Sequence, residues 1–313
     1  MRAAADSTLE RADRVLRQHG RTFAWARRFL GQRHAERATL LYAFCRHIDD
    51  LVDEADGEDD ARSGLHSLRS QLSGEAEPAS IVHGALEVLG GTAEGIRAAF
   101  DLIDGVESDL EPVRCATEGE LLDYCYRVAG TVGIMMCQAL DRPVPAAYPH
   151  AADLGIGMQL TNIARDIHED AGLGRRYLPA SWVGELEPRS ILEPSLEERA
   201  LLIAARKRLL TLAERYYESG RRGLSHLPLR ARYAILVAAQ NYRAIGPRAL
   251  RLGNQLDRRA HVSTAAKVGV TMRSLLTGSL TPSFWLRLGP HDDRLHHHLP
   301  ALAWFGSGGV EHG

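Results

Sequence analysis

The sequence predicts an all-α protein with one main domain, and three observations carry that prediction. Apolar residues recur at steps of three and four through a series of segments between residues 34 and 252. Two of those segments also carry polar stripes at the same period, which a helix gathers onto one face. No internal repeat, low-complexity hinge or clean junction divides the chain. With 313 residues, 45% of them hydrophobic, it can build one substantial core.

Residues 34–53 read as helix, with Leu41, Phe44, Cys45, Ile48 and Val52 as its apolar positions. The mostly charged run from Asp56 to Asp60 ends that pattern and reads as a solvated loop or frayed end. Shorter helical segments follow from about 81 to 105. A strong helix over 118–140 is closed by Asp141-Arg142-Pro143 and Pro145. The next runs from about 150 to 169 and stops before Gly172, Gly174 and Pro179. Leu202, Leu209, Leu212 and Tyr216 mark the inner face of a long helix over 196–219. After Pro228, another spans 230 to about 252. The main domain is therefore placed at 1–271, with a peripheral N-terminal segment. The stretch 272–313 is expected to be an irregular or partly disordered tail, because Gly278, Pro282, Gly289, Pro290 and Pro300 punctuate it. Three adjacent side chains there, His296-His297-His298, define no metal site in a loose tail.

A net charge of −2 and a pI near 6.7 give no field for nucleic acid. Cys45, Cys115, Cys125 and Cys137 lack zinc-like spacing and read as thiols, three of them inside helical patterns. The N-terminus is polar and charged, and Val128–Leu140 is too short to span a bilayer. A soluble cytoplasmic enzyme is expected, peripheral to the cytoplasmic membrane if its substrate is greasy. Oligomeric state is not legible.

Chemistry concentrates on two helix faces. Tyr42, Arg46, Asp49 and Asp53 share one stripe, with Asp50 and Glu54 beside it. Gln159, Asn162, Asp166 and Asp170 form a second, flanked by Arg165 and Glu169. Each carries two carboxylates one turn apart, as a hard divalent cation requires; solvated helix ends or a structural polar network are the plainer alternatives. If the faces oppose each other, they can hold Mg²⁺ against a diphosphate, with Arg46, Arg165 and Arg176 neutralising its oxygens. Tyr177 then positions the leaving group, or simply anchors its loop. In the segment after Tyr124 and Val128, Gly130 and Gly133 mark close approach of another helix or of a long apolar ligand.

At these residues the chain resembles the squalene/phytoene synthase family, and bacterial phytoene synthases most. The strings are YAFCRHIDDLVDE at 42–54, YCYRVAGTVG at 124–133, GIGMQLTNIARDIHED at 155–170 and GRRYLPASW at 174–182. YYESGRRGLSHLPLR and NYRAIG follow, so the resemblance extends from about Phe23 through Lys267. It implies an isoprenoid synthase fold, a helical bundle around a central cavity with two aspartate-rich motifs on opposing helices. It assigns Asp49, Asp53, Asn162, Asp166 and Asp170 to metal, and Arg46, Gln159, Asn162 and Arg165 to diphosphate. Tyr42 and Tyr124 become catalytic with the four aspartates, while Tyr242 and either Arg258 or Arg259 join the diphosphate side. Phe23, Val128 and Gly133 would line the cavity. One departure stands out: Arg27 and Arg28 interrupt the apolar run that Phe23 and Trp25 begin.

The implied reaction is head-to-head joining of two geranylgeranyl diphosphates, through a cyclopropylcarbinyl diphosphate, to phytoene and two diphosphates. Mg²⁺ is the implied cofactor, with Mn²⁺ as a substitute. NADPH is not expected, since only a squalene product needs hydride. A C30 dehydrosqualene or squalene synthase using farnesyl diphosphate is the nearest alternative. A non-catalytic prenyl-lipid binding protein is the alternative of another class.

Overall fold

The computed structural model describes residues 2–287 and 289–299. In chain order its helices begin with α1 (Arg2–His19), α2 (Arg21–Ala26), α3 (Gln32–Asp53) and α4 (Glu58–Ser73). Next come α5 (Ser80–Leu89), α6 (Ala93–Glu107), α7 (Glu118–Cys125), α8 (Thr131–Ala139) and α9 (Tyr148–Gly172). The second half holds α10 (Ala180–Val183), α11 (Pro188–Leu192), α12 (Leu196–Arg222), α13 (Leu229–Arg243), α14 (Ile245–Arg251), α15 (Thr264–Arg273) and α16 (Pro282–Trp285). Among the described residues no strand forms; a lone bridge joins Arg114 to Arg176.

Several boundaries depart from the periodicity, each for a local reason. Ahead of the segments the periodicity marks lies α1, whose Ala12 and Leu16 are buried and which packs on α3. The charged run at 56–60 is a helix start, because Glu58, Asp59 and Asp60 occupy the first turn of α4. Carboxylates there face unpaired N–H groups, and Gly74 at φ +82° ends the helix at the other side. The segment 118–140 is two helices joined by a π-helical turn over Tyr126–Gly130. The segment 230–252 breaks at Ala244, three residues before Pro247, whose nitrogen cannot continue the hydrogen-bond ladder.

The stretch from 272 to 299 is built of short helical pieces and turns, and it packs on the domain. Its assumed boundary falls inside α15, Phe284 is buried, and Leu295 and Leu299 join the main core. The Tyr216 hydroxyl donates to the Leu295 carbonyl at 3.0 Å. Residues 300–313 lie outside the described residues.

Helix α9 is the hub, packed on α8 and the π turn along one side and on α12 along the other. Glycine makes the first contact possible. A Cβ on Gly133 would meet the Ala151 carbonyl oxygen at 2.0 Å, and one on Gly155 the Ala129 carbonyl oxygen at 2.1 Å. Backbones this close leave no room for side chains, so α9 is fixed in depth and rotation by bare helix surfaces. That fixes where its polar ridge points. No described helix is long and apolar enough to cross a membrane.

Candidate active site

The first ridge lies on α3. Ile48 and Phe44 are fully buried on its inner side, while Arg46, Asp49 and Asp50 are half-buried and Asp53 is exposed. Arg46 pairs with Asp50, one turn along, at 2.5 Å, rather than with Asp49. Asp49 is thus left without an ion-pair partner of its own. Burial pushes its carboxyl up to about 7, and Asp53, Asp50 and Asp109 add to the rise against the opposing Arg46.

The second ridge lies on α9, whose Leu160, Ile163, Ala164 and Ile167 are buried on the other faces. The Asn162 amide nitrogen donates to Gln159 Oε1 at 3.1 Å. Its oxygen is buried with no hydrogen-bond partner. Arg165 and Arg259 both reach Asp166, the former through Nε at 2.8 Å and the latter at 2.9 Å. Arg259 also pairs with Glu169 at 3.3 Å, whereas Arg258 turns to Gln255; of the two arginines, Arg259 faces the ridge. Asp170 is pushed up to about 7 by burial, then by Asp166 and Glu169, against the pull of Arg175.

Two bridges connect the ridges. The polar one is built on Asp109, which the sequence reading did not single out. Its oxygens accept from Tyr124 and Tyr177, each at 3.0 Å, and the two phenol oxygens are themselves 3.0 Å apart. Only two phenol protons serve these three contacts, and any two of them hold the cluster. Arg175 completes the bridge, reaching Asp53 at 3.7 Å and partly offsetting the burial that raises the pKa of both Asp109 and Asp170. The aromatic bridge is Phe23 of α2, whose ring centroid lies 5.9 Å from Tyr42 and 5.4 Å from Tyr242. Tyr242 in turn feels Arg165, Asp166 and Arg259. Burial raises Tyr42, Tyr124 and Tyr242, so all three stay protonated phenols.

The chain positions the loop 174–182 by pairing it with 113–116. The amide of Arg176 donates to the Val113 carbonyl at 3.0 Å, and that of Ala180 to the Cys115 carbonyl at 2.9 Å. Arg176, expected at the diphosphate, is buried and bonds the carbonyls of Cys115 and Leu178. Its neighbour Arg175 faces the acids instead. Gly133 packs against the α9 backbone at Ala151, and Val128 lies against α6, its Cγ1 3.1 Å from where a Gly105 Cβ would sit; both are partly buried. Arg27 and Arg28 do not interrupt the aromatic run: Arg27 turns back to Asp13 and Thr39, and Arg28 lies over the Trp25 ring at 4.9 Å. Cys115, Cys125 and Cys137 are buried and all four cysteines are free thiols.

The donor set suits a hard divalent cation. Among the described residues, the arginines paired with or sensed by Asp49, Asp50, Asp53, Asp109, Asp166, Glu169 and Asp170 are Arg46, Arg165, Arg175 and Arg259. This acid excess and the orphaned Asn162 oxygen offer oxygen ligands of the kind Mg²⁺ takes, with no soft donor among them. A test follows from the two raised carboxyls. Between about pH 4 and 7 the folded protein holds protons on Asp49 and Asp170 that the unfolded chain has released. Stability of the metal-free fold therefore falls as pH rises through that window, and a divalent cation must displace the same protons. The rise in Tm on adding Mg²⁺ is expected to be larger at about pH 8 than at about pH 6. Equal rises at both would detach cation binding from these two groups.

Comparison with known proteins agrees with this geometry. The squalene/phytoene synthase family matches residues 16–266. A phytoene synthase of Pseudescherichia vulneris is 36% identical over 279 residues, covering 84% of this chain and 90% of its own length. The 15-cis-phytoene synthase of Pantoea ananas is 33% identical over 315 residues, covering 95% and 97%. Among solved structures, a dehydrosqualene synthase in complex with a ligand superposes with a TM-score of 0.78 at 26% identity, over 88% of this chain and 98% of that one.

Proposed function

The chain belongs to the squalene/phytoene synthase family, a prenyltransferase of isoprenoid synthase fold, and we propose that it condenses two geranylgeranyl diphosphates to phytoene. The observation that carries the reading is the pair of acidic ridges on α3 and α9, bridged by Asp109–Arg175 at one side and by Phe23 at the other. Asp49 and Asp53 on one ridge, and Asn162, Asp166 and Asp170 on the other, are the residues to hold Mg²⁺ or its substitute Mn²⁺. Bound there, the cation supplies Lewis-acid stabilisation to departing diphosphate oxygens.

The chain's own residues do the rest. Arg46, Arg165, Arg175 and Arg259 donate charged hydrogen bonds to diphosphate, and Gln159 positions it. The first substrate loses diphosphate by C–O cleavage, and the double bond of the second attacks the allylic carbon. Proton loss closes the cyclopropane. Cleavage of the second C–O bond, rearrangement and a further proton loss give the conjugated triene, so two diphosphates and two protons leave in all. Tyr42, Tyr242 and Phe23 present ring faces that favour the cations, and Tyr124, stacked on Tyr177 at 4.6 Å, orients the chain beside them. Excluding water keeps the cations from being trapped as alcohols. No hydride enters this stoichiometry, so NADPH is not required.

The test incubates purified protein with Mg²⁺ and either C15 or C20 diphosphate, with and without NADPH, and identifies the hydrocarbons. Phytoene from the C20 substrate, indifferent to NADPH, is expected. Exclusive C30 product would replace the substrate assignment with farnesyl diphosphate, and absence of any diphosphate release would leave a prenyl-lipid binder.

A hydrophobic product also needs an exit. Val268, Met272, Leu276, Leu280, Trp285 and Leu286 are exposed along α15, the π turn after it and α16. No Asp or Glu occurs between Arg258 and Pro290, while Lys267, Arg273 and Arg287 do. This combination supports contact with an anionic membrane surface from the cytoplasmic side. Flotation with vesicles of anionic lipid, lost on Leu280→Glu/Trp285→Glu substitution, is the expected result; unchanged flotation would move the contact elsewhere.

A further inference from the structure

Helix α9 carries a second cluster of ligating side chains, centred on Asp153, about 20 Å along its axis from Asp166. Asp153 is fully buried. The Nε2 atoms of His291 and His296 each lie 2.7 Å from it, one on each carboxylate oxygen. One ligand atom from each of His150, Asp153 and His291 lies within 4.8 Å of the other two. The imidazoles crowd together, with ring centroids 5.1 Å apart for His150 and His291 and 4.3 Å for His291 and His296. None of these residues touches the proposed reaction site.

We propose that His150, Asp153, His291 and His296 form a structural site for a zinc-class ion, which fastens the C-terminal segment to α9. His150, Asp153 and His291 already lie within mutual ligating reach, and His296, held on the other Asp153 oxygen, would complete the set by rotating inward; three imidazoles and a carboxylate suit Zn²⁺ and not the oxygen-seeking Mg²⁺. The side chains of His291 and His296 are only 7% and 11% exposed, so no wide opening invites substrate. Outer partners already orient the ligands. His150 Nδ1 is 2.9 Å from the Ser219 carbonyl, His291 Nδ1 is 3.2 Å from Asp293, and the Ser219 hydroxyl donates to Asp153. An ion with bonds of about 2.0–2.1 Å requires adjacent ligand atoms roughly 3.3 Å apart. The 2.7 Å contacts therefore open by about half an ångström on loading, within reach of side-chain rotation. One ion would then join residues 138 and 143 positions apart.

The test uses the full chain, free of any histidine tag and stripped with chelator, in excess Mg²⁺ so that the acidic ridges are filled. Dialysis against Zn²⁺, then Co²⁺, is followed by elemental analysis and visible spectroscopy. One retained equivalent is expected, with the d–d bands of tetrahedral cobalt and a higher Tm. His291→Ala/His296→Ala should lose both the equivalent and the bands, although His297 and His298 remain as a control for loose surface binding. Failure of the parent protein to retain an equivalent would overturn the site and leave a hydrogen-bonded clasp. Retention of the same equivalent and bands by the double variant would overturn it too. If the double variant does not fold, His296→Gln decides by its zinc-induced rise in Tm: a smaller rise than the parent supports the site, an equal one removes it.

Discussion

Asp49→Asn is expected to lower kcat with the C20 substrate by roughly 100- to 1,000-fold, the loss typical of removing a preorganised stabiliser of developing negative charge. The same substitution should leave the metal-free protein as stable as its parent at about pH 8, or more so. Asp49 is held against its preference for ionisation by burial and by Asp53, Asp50 and Asp109, with no ion pair of its own to lose. A neutral amide of the same shape relieves that repulsion. Asp166→Asn should match it in rate loss and differ in stability. Asp166 is the shared partner of Arg165 and Arg259, and Arg165 is mostly buried. Removing its charge leaves a guanidinium poorly compensated, so Tm should fall. Turnover and thermal denaturation of both variants check this contrast. Near-parental turnover in both, with folds intact, would take the metal role away from these ridges.

Gly155→Ala is expected to be, with Gly133→Ala, among the most damaging methyl additions in the described residues. Its new carbon would sit 2.1 Å from the Ala129 carbonyl oxygen and 2.9 Å from the Gly130 Cα. These are backbone atoms of the π turn and cannot rotate away. We expect a cost of about 3 kcal/mol or more, beyond the usual range for overpacking because α9 itself must move. Activity should fall further than stability accounts for, since α9 carries Asn162, Asp166 and Asp170. Gly269→Ala serves as the control. It lies within α15 with nothing within 4 Å of the added carbon, so a gain of about 0.5–1 kcal/mol is expected. Denaturant unfolding of the pair gives the answer, and similar stabilities for both would deny that bare helix surfaces set the position of α9.

What could be read from the sequence was what lies on single helices. Steps of three and four gave the stripes on α3 and α9 because a helix maps spacing directly onto a face. Asp109 escaped because it sits in the short turn after α6, where no period exists, and becomes a partner only through Tyr124 and Tyr177 from two other segments. Arg175 and Arg176 are adjacent and chemically identical; only the pairing of their loop with 113–116 decides which faces the acids. Gly133 illustrates a different limit. Glycine in a helix signals close approach, and the sequence alone does not say whether a ligand or another helix approaches. In the C-terminal segment, glycine and proline density marks the broken helices but not their packing, and Leu295 and Leu299 join the main core. Conversely, Arg27 looked like an intrusion into an apolar run until its partners, Asp13 and Thr39, placed it on the far side.

Asp153 sits midway along the chain, yet Ser219, His291 and His296 lie 66, 138 and 143 residues downstream of it. During synthesis, the central helix emerges from the ribosome long before the groups that neutralise its innermost carboxylate. Until nearly the last of these turns has been translated, Asp153 is without its two histidine partners. A chain shortened before residue 291 would keep the Ser219 hydroxyl on that carboxylate and lack both imidazoles.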